Sequence, residues 1–318
     1  MNENLLKLRV VRKVEAAQDI VAFELQAPDG AALPRFEAGA HIDVHLPNGL
    51  VRQYSLCNDA RERERYRICV LRDPATRGGS AAMHDLVNDG DELTIGLPRN
   101  LFALVPGAHD SLLLAGGIGV TPILSMAWQL HAEQAPFRMH YFTRSRVRTA
   151  FHDELQAAPF AASTAVWFDD AETARPSVPE LLRAASPGTQ VYACGPAGFL
   201  EYVTRSAQEC GLAPESLHIE AFGAAPMAPG AAFEVRLRQS GRAIRIGPEQ
   251  TVVEALAAHG VAIPVSCEQG ICGTCLTRVI SGIPEHRDQY LSDEEHSRND
   301  QFTPCCSRSL TPVLELDI

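Results

Sequence analysis

Short apolar runs of strand length dominate the first hundred residues. One opens at Val10 and Val11, another covers residues 20–25, and residues 40–46 alternate apolar with polar positions before a Pro-Asn-Gly turn at 47–49. Residues 67–71 and 92–95 continue the pattern. Short strands separated by turn residues predict an antiparallel β-barrel or sandwich over residues 1–105. From residue 106 the spacing changes: apolar strands at 111–114, 138–142, 164–168 and 190–193 alternate with helical stretches. That alternation predicts a parallel α/β sheet extending to residue 224. A segment rich in Gly, Ala and Pro follows Gly223, with residues 225–231 as a linker. In the last part, 232–318, strands at 233–238 and 243–246 flank a turn at Ser240 and Gly241. A helix is expected at 252–258, the run SDEE at 292–295 has capping-box spacing, and a final strand covers 313–318.

Residues 112–130 carry no charged side chain and nearly reach the length of a membrane span. Gly116, Gly117, Gly119 and Pro122 interrupt them, so the stretch reads as strand, glycine turn and helix, and no membrane association is expected. A chain of 318 residues suits two or three domains, and its 46% hydrophobic and 21% charged content is that of a globular protein. The net charge of −11 argues against nucleic acid as a partner, since phosphate binding needs basic stripes. The first residues, MNENLLK, lack the apolar core of a signal peptide. Cysteines outside the C-terminal motif are scattered rather than framed for disulfides, which fits a reducing cytoplasm.

The motif itself is Cys267, Cys272 and Cys275 in C-x4-C-x2-C spacing, with Cys305 and Cys306 farther on. This is the plant-type spacing for a [2Fe–2S] cluster, in which three thiolates come from one tight loop and the fourth from a distant segment. Gly270 and Gly273 suit a loop that must turn sharply and bring backbone N–H groups toward sulfur. A zinc site would need a second C-x2-C or a histidine pair at matching spacing, and the sequence has neither.

Upstream, GGIGVTP at 116–122 joins a buried strand to a helix, and CGP at 194–196 ends a second strand of the same sheet. Parallel sheets bind phosphorylated ligands at such strand ends, although a glycine turn alone serves close packing equally well. In the first part, RQYSL at 52–56 and RGGS at 77–80 offer what a flavin mononucleotide needs. Tyr54 can contact the ring, Ser55 can bond its edge, and Arg52, Arg77 and the Gly-Gly-Ser helix start can hold its phosphate.

Taken in this order, the five motifs resemble the phthalate dioxygenase reductase family over essentially the whole chain. That family includes reductase subunits of vanillate O-demethylase. The resemblance implies an antiparallel flavin barrel, an α/β nicotinamide domain and an α+β ferredoxin domain of β-grasp type. It implies FMN, NADH and a [2Fe–2S] cluster as cofactors, with Cys267, Cys272, Cys275 and Cys305 as metal ligands; CCSR at 305–308 matches a stretch whose first residue binds iron. Flavin contacts would come from Arg52, Gln53, Tyr54, Ser55, Cys69, Val70, Leu71, Gly78, Gly79, Ser80 and, beside the ring, Phe222. Gly117, Thr121, Cys194, Gly195 and Pro196 would line the nicotinamide site, and Ser55, Thr121 and Cys194 would act at the reacting atoms. The implied function passes a hydride from NADH to FMN, then single electrons through the cluster to a Rieske-type oxygenase acting on an aromatic or similar small substrate. The implied reductase is a monomer. A stand-alone NADH-dependent flavin reductase acting on ferric iron, oxygen or quinone is the rival reading. For the reduced cofactor, Asp169 and Asp170 after a strand would repel a 2′-phosphate, favouring NADH over NADPH, while Arg144 and Arg146 could attract one.

Overall fold

A computed structural model describes residues 5–74, 78–171, 174–222, 229–265, 268, 270, 273–288 and 290–318. The chain divides into two compact units, Met1–Phe222 and Gly223–Ile318.

The first unit opens with a seven-stranded antiparallel sheet. Its main path runs Val51–Ser55, Ala40–His45, Glu92–Gly96, Leu5–Ala17, Ile20–Gln26 and Tyr66–Leu71, with Arg99–Asn100 added beside Ala40–His45. An isolated bridge between Leu56 and Ile68 joins the two ends of the path and closes a barrel. The two-residue period of a strand sorts the side chains. Phe23, Leu25, Tyr66, Ile68 and Val70 fill the barrel with Val10, Ile42, Val44 and Ile95. Ile20, Ala22 and Cys69, on the opposite faces of the same strands, join a second core.

That second core is shared with a five-stranded parallel sheet in the order Thr164–Phe168, Phe137–Thr143, Ser111–Gly116, Gln190–Gly195 and Leu217–Ala221. Leu113, Ala115, Met139, Tyr141 and Cys194 pack there against helix Val120–Ala132. Leu112, Leu114, Val191 and Ala193 face the other way, onto helices Val178–Arg183 and Ala197–Glu209. Strand Ser111–Gly116 is buried along its whole length, which explains its uninterrupted apolar run. Residues 112–130 do resolve into strand, turn and helix, and among the described residues no helix is long and apolar enough to cross a membrane. The order reverses between Ser111–Gly116 and Gln190–Gly195, so the crevice at their carboxyl ends is the expected ligand position. A bidentate pair between Arg67 and Glu154, at 2.8 and 2.9 Å, fastens the barrel to the α/β part, with the guanidinium 4.6 Å above the Phe151 ring.

The second unit has a five-stranded mixed sheet in the order Ala243–Ile246, Phe233–Leu237, Val313–Leu316, Thr277–Ser281 and Gln301–Phe302. Phe233–Leu237 and Val313–Leu316 are parallel and the other pairs antiparallel. Helix Val252–Ala258 starts at a Thr251–Glu254 capping box and packs Val252, Ala255 and Leu256 onto the sheet. This is the sheet-over-helix arrangement of a β-grasp. Its largest fully buried side chain is Arg308. The guanidinium donates to the carbonyls of Gln250 at 2.8 Å, Gly247 at 2.9 Å and Ala231 at 3.1 Å, and lies over Phe233.

Candidate functional site

The flavin-side residues assemble around strand Val51–Ser55, whose partner Ala40–His45 sets Tyr54 opposite Ile42 and Ser55 opposite His41. Gln53 pairs with Asp43 and Arg52 with Val44. Burial pushes the Tyr54 phenol up, against the pull of Arg52, so it stays a neutral donor. Arg52 lies across the start of helix Gly79–Leu86. A Cβ at Gly79 would stand 2.7 Å from Arg52 Cγ, so a larger residue there would displace the Arg52 side chain. Gly78 precedes it at φ +92°, a conformation that favours glycine. Asn48 Nδ2 donates to the Gly78 carbonyl at 3.1 Å, and Ser80 Oγ accepts the Asp73 N–H at 3.1 Å. The cradle matches a phosphate flanked by one cation and a helix start; Arg77 lies outside the described residues. Cys69 and Val70 are buried on opposite faces of strand Tyr66–Leu71, and Leu71 is half-buried. Phe222 is exposed at the end of the first unit.

At the crevice, glycine is required for two different reasons. A Cβ at Gly119 would fall 2.2 Å from the Cys194 carbonyl oxygen, and one at Gly195 would be 3.0 Å from Gly116 Cα. These glycines let two strand ends and a helix close on one another. Gly117 instead has φ +52° and open space where a Cβ would point. It is the member of the turn that leaves room for a ligand. Thr121 is buried, its hydroxyl donating to the Ile118 carbonyl at 3.1 Å, so it fixes the turn. Pro196 caps helix Ala197–Glu209. Beside these strand ends, a cavity of 430 Å³ is lined by Phe142, Arg175, Ser177, Phe199 and Tyr202.

Three titratable or polar side chains meet where the barrel adjoins the parallel sheet. Cys194 and Glu220 are register partners on adjacent parallel strands, with Cys194 Sγ 4.0 Å from Glu220 Oε2. The Ser55 side chain bonds the same carboxyl. Burial pushes the Glu220 pKa up to about 8, opposed by that bond, and burial with Glu220 beside it holds the Cys194 thiol well up. The group is a neutral, proton-holding pocket at neutral pH. Ser55 and Cys194 are both read from the sequence as acting residues, and the structure brings them together; Thr121 points its hydroxyl into its own turn. Glu220 is missed by that reading. Its signal is a carboxylate closing the fifth strand level with Cys194.

In the second unit, Cys275 and Cys305 are buried and their thiols are hydrogen-bonded to one another. Cys267 and Cys272 lie outside the described residues. Cys306 also touches Cys305, but its other neighbours are Thr303 Oγ1 at 3.3 Å and Ser307 Oγ at 3.8 Å. Gly270 and Gly273 have φ of +74° and +69°. A Cβ at Gly273 would enter the Tyr290 ring at 2.2 Å, and one at Gly270 would meet Cys306 Sγ at 2.4 Å. The loop is therefore glycine-dependent in space as well as in dihedral angle. Paired buried thiols beside such a loop fit an iron–sulfur centre.

The family described as the 2Fe-2S iron-sulfur cluster binding domain matches residues 235–310, and the N-terminal domain of dimethylamine monooxygenase subunit DmmA-like proteins matches residues 97–217. The phthalate dioxygenase reductase of Burkholderia cepacia is 40% identical over 321 residues, 99% of this chain and 98% of that one. This chain belongs to the phthalate dioxygenase reductase family. Within it, a vanillate O-demethylase oxidoreductase of Pseudomonas putida is 51% identical over 312 residues, covering 97% of this chain and 98% of the relative. A solved phthalate dioxygenase reductase, described as a modular structure for electron transfer from pyridine nucleotides to [2Fe-2S], superposes with a TM-score of 0.77 at 40% identity, covering 99% of this chain and 98% of that one. The chain is an oxidoreductase, a reductase component of an oxygenase system, with the three-part fold that the sequence resemblance implies.

Proposed function

We propose that this reductase takes a hydride from NADH onto FMN and delivers electrons singly, through a [2Fe–2S] cluster on Cys267, Cys272, Cys275 and Cys305, to a Rieske-type oxygenase. The observation that carries the reading is the meeting of Ser55, Cys194 and Glu220 at the strand ends beside the flavin cradle. Hydride acceptance and one-electron release are chemistry that the bound flavin supplies. The protein's own part is positioning and proton control. Arg52 and the helix start at Gly79 hold the phosphate end, Tyr54 contacts the ring, and Gly117 opens the turn to the nicotinamide. Ser55 and Glu220 keep a proton next to the reacting edge, where a carboxylate would repel developing negative charge.

The cavity walled by Phe142, Phe199 and Tyr202 suits the adenosine end of the dinucleotide. Arg175, at its rim, is paired with Asp169, so that cation is already neutralised and a 2′-phosphate finds no free partner there. This supports NADH over NADPH. Electron flow from a plant-type centre at about −400 mV to a Rieske centre at about −150 mV is downhill by roughly 6 kcal/mol. The 51%-identical relative's name supports an aromatic O-demethylase as the partner system. We place the domain boundaries at 105/106 and 224/225, with 225–231 as linker, and the protein as a monomer in the cytoplasm, a reducing compartment that suits its scattered cysteines.

Anaerobic stopped-flow mixing with NADH tests the scheme. Flavin bleaching followed by loss of cluster absorbance, and then reduction of an added Rieske oxygenase, is the expected sequence. Flavin bleaching with no cluster reduction would refute it.

A further inference from the structure

The second unit contains a set of metal-type donors apart from its cysteines. His286 and Asp288 follow the short strand Pro284–Glu285, and His296 sits on helix Asp293–Arg298, whose start is fixed by a Ser292–Glu295 capping box. One donor atom from each lies within 4.8 Å of the other two. His286 Nδ1 is 3.6 Å from Asp288 Oδ1, and His296 Nε2 is 3.3 Å from Asp288 Oδ2. Both separations are long for a charge-assisted hydrogen bond, which favours about 2.7–2.9 Å. Donors at roughly 2.0–2.1 Å from zinc stand about 3.3–3.4 Å apart, and each imidazole lies near that distance from one of the two Asp288 oxygens.

Burial sharpens the contrast. The Asp288 side chain is 0% exposed and that of His286 10% exposed, yet neither ring nitrogen of His286 has a well-formed hydrogen bond, Asp288 Oδ1 standing 3.6 Å from Nδ1. A buried imidazole with both nitrogens unsatisfied is costly, and native structures rarely leave one without a partner. The two rings stack with centroids 4.3 Å apart, a packing that disfavours two protonated imidazoles. Asp288 is itself oriented by the Leu291 N–H at 2.9 Å and the Ser307 hydroxyl at 3.3 Å, the kind of outer support that metal-bound carboxylates show.

We propose that His286, Asp288 and His296 bind a divalent cation of the zinc class, distinct from the iron held by the cysteines. Two imidazoles and one carboxylate are the donors zinc prefers over magnesium or calcium, and water completes the fourth position. The location gives the cation a structural task. Asp288 bonds Ser307, two residues beyond Cys305, and abuts Gly270 of the cysteine loop, where a Cβ would come within 2.8 Å of Asp288 Cβ. A cation here ties residues 286–296 to both segments that carry the cluster thiols.

The test uses full-length, untagged holoprotein dialysed against buffered micromolar zinc, with zinc and iron measured by plasma mass spectrometry. One zinc per chain with two irons unchanged is expected. X-ray absorption at the zinc edge should show only nitrogen and oxygen near 2.0–2.1 Å. Replacing His286→Gln and His296→Gln together should weaken zinc retention at least about tenfold with iron intact. His296→Gln alone serves if the double variant fails to fold. Zinc–sulfur scattering near 2.3 Å, no zinc retained by the wild type, or undiminished zinc in a folded variant would each overturn the site.

Discussion

Ser55, Cys194 and Glu220 come from three distant segments and meet because a barrel strand is packed against the end of a parallel sheet. Cys275 and Cys305 meet inside one small unit, beside a loop whose glycines are held by contact with Tyr290 and Cys306. The first region manages a proton: a carboxyl pushed up to about 8 stays neutral beside a hydroxyl and a thiol. The second brings two thiols together, and its precision is steric. The first group of side chains therefore depends on the docking of two subdomains, whereas the second depends on local shape.

The sharpest way to break this comparison is at the cluster. Cys305→Ser should abolish cluster absorbance and cut electron delivery at least about 100-fold, while NADH still bleaches the flavin; Cys306→Ser should keep both activities. Iron content and stopped-flow traces of the two variants separate the cases.

Next in size is the packing of the crevice. Gly119→Ala drives a methyl into the Cys194 carbonyl and should cost about 3 kcal/mol in urea unfolding, with NADH reduction slowed in proportion to the distortion. Gly117→Ala meets no atom and costs only the strain of its positive φ, about 1 kcal/mol.

Glu220 tests the proton side. Its folded pKa of about 8 lies above the ordinary value of 4.5, so the folded state retains a proton that the unfolded chain releases. Stability should fall as pH rises from about 4.5 to 8 and then level off. In Glu220→Gln that slope should vanish in urea titrations, and flavin reduction should slow by about 10- to 100-fold. A slope unchanged in the variant would place the titration elsewhere.

Smaller effects concern selectivity and capping. Asp169→Ser frees Arg175 and should raise kcat/KM for NADPH about tenfold, worth roughly 1.4 kcal/mol. Ser177→Ala removes one capping box and should destabilise the protein by about 1 kcal/mol in thermal unfolding.

Much of the molecule is legible in its sequence because its strands are either wholly apolar or cleanly alternating. Residues 112–114 and 40–46 announce themselves for those two reasons. Strand Leu5–Ala17 is harder, since its second half is largely exposed and its polar residues mask the one buried face. The glycine turn at 116–119 is legible as a turn, but the division of labour between Gly117 and Gly119 depends on where Cys194 ends its strand. Glu220 is the instructive miss. A charge on a short strand reads as solvent-facing, and its hydrogen-bond partner is Ser55 from another sheet, a neighbour no local pattern contains. The cysteine motif is the opposite case: ligand spacing is itself a statement about local geometry, although adjacent Cys305 and Cys306 have different neighbours that no spacing rule contains.

Arg308 anchors the segment that follows the adjacent cysteines. Its guanidinium ties the segment just after Cys305 to the carbonyls of Ala231, Gly247 and Gln250, which flank the opening hairpin of the unit. None of these bonds involves iron. The segment that follows Cys305 is thus anchored by hydrogen bonds of the polypeptide itself.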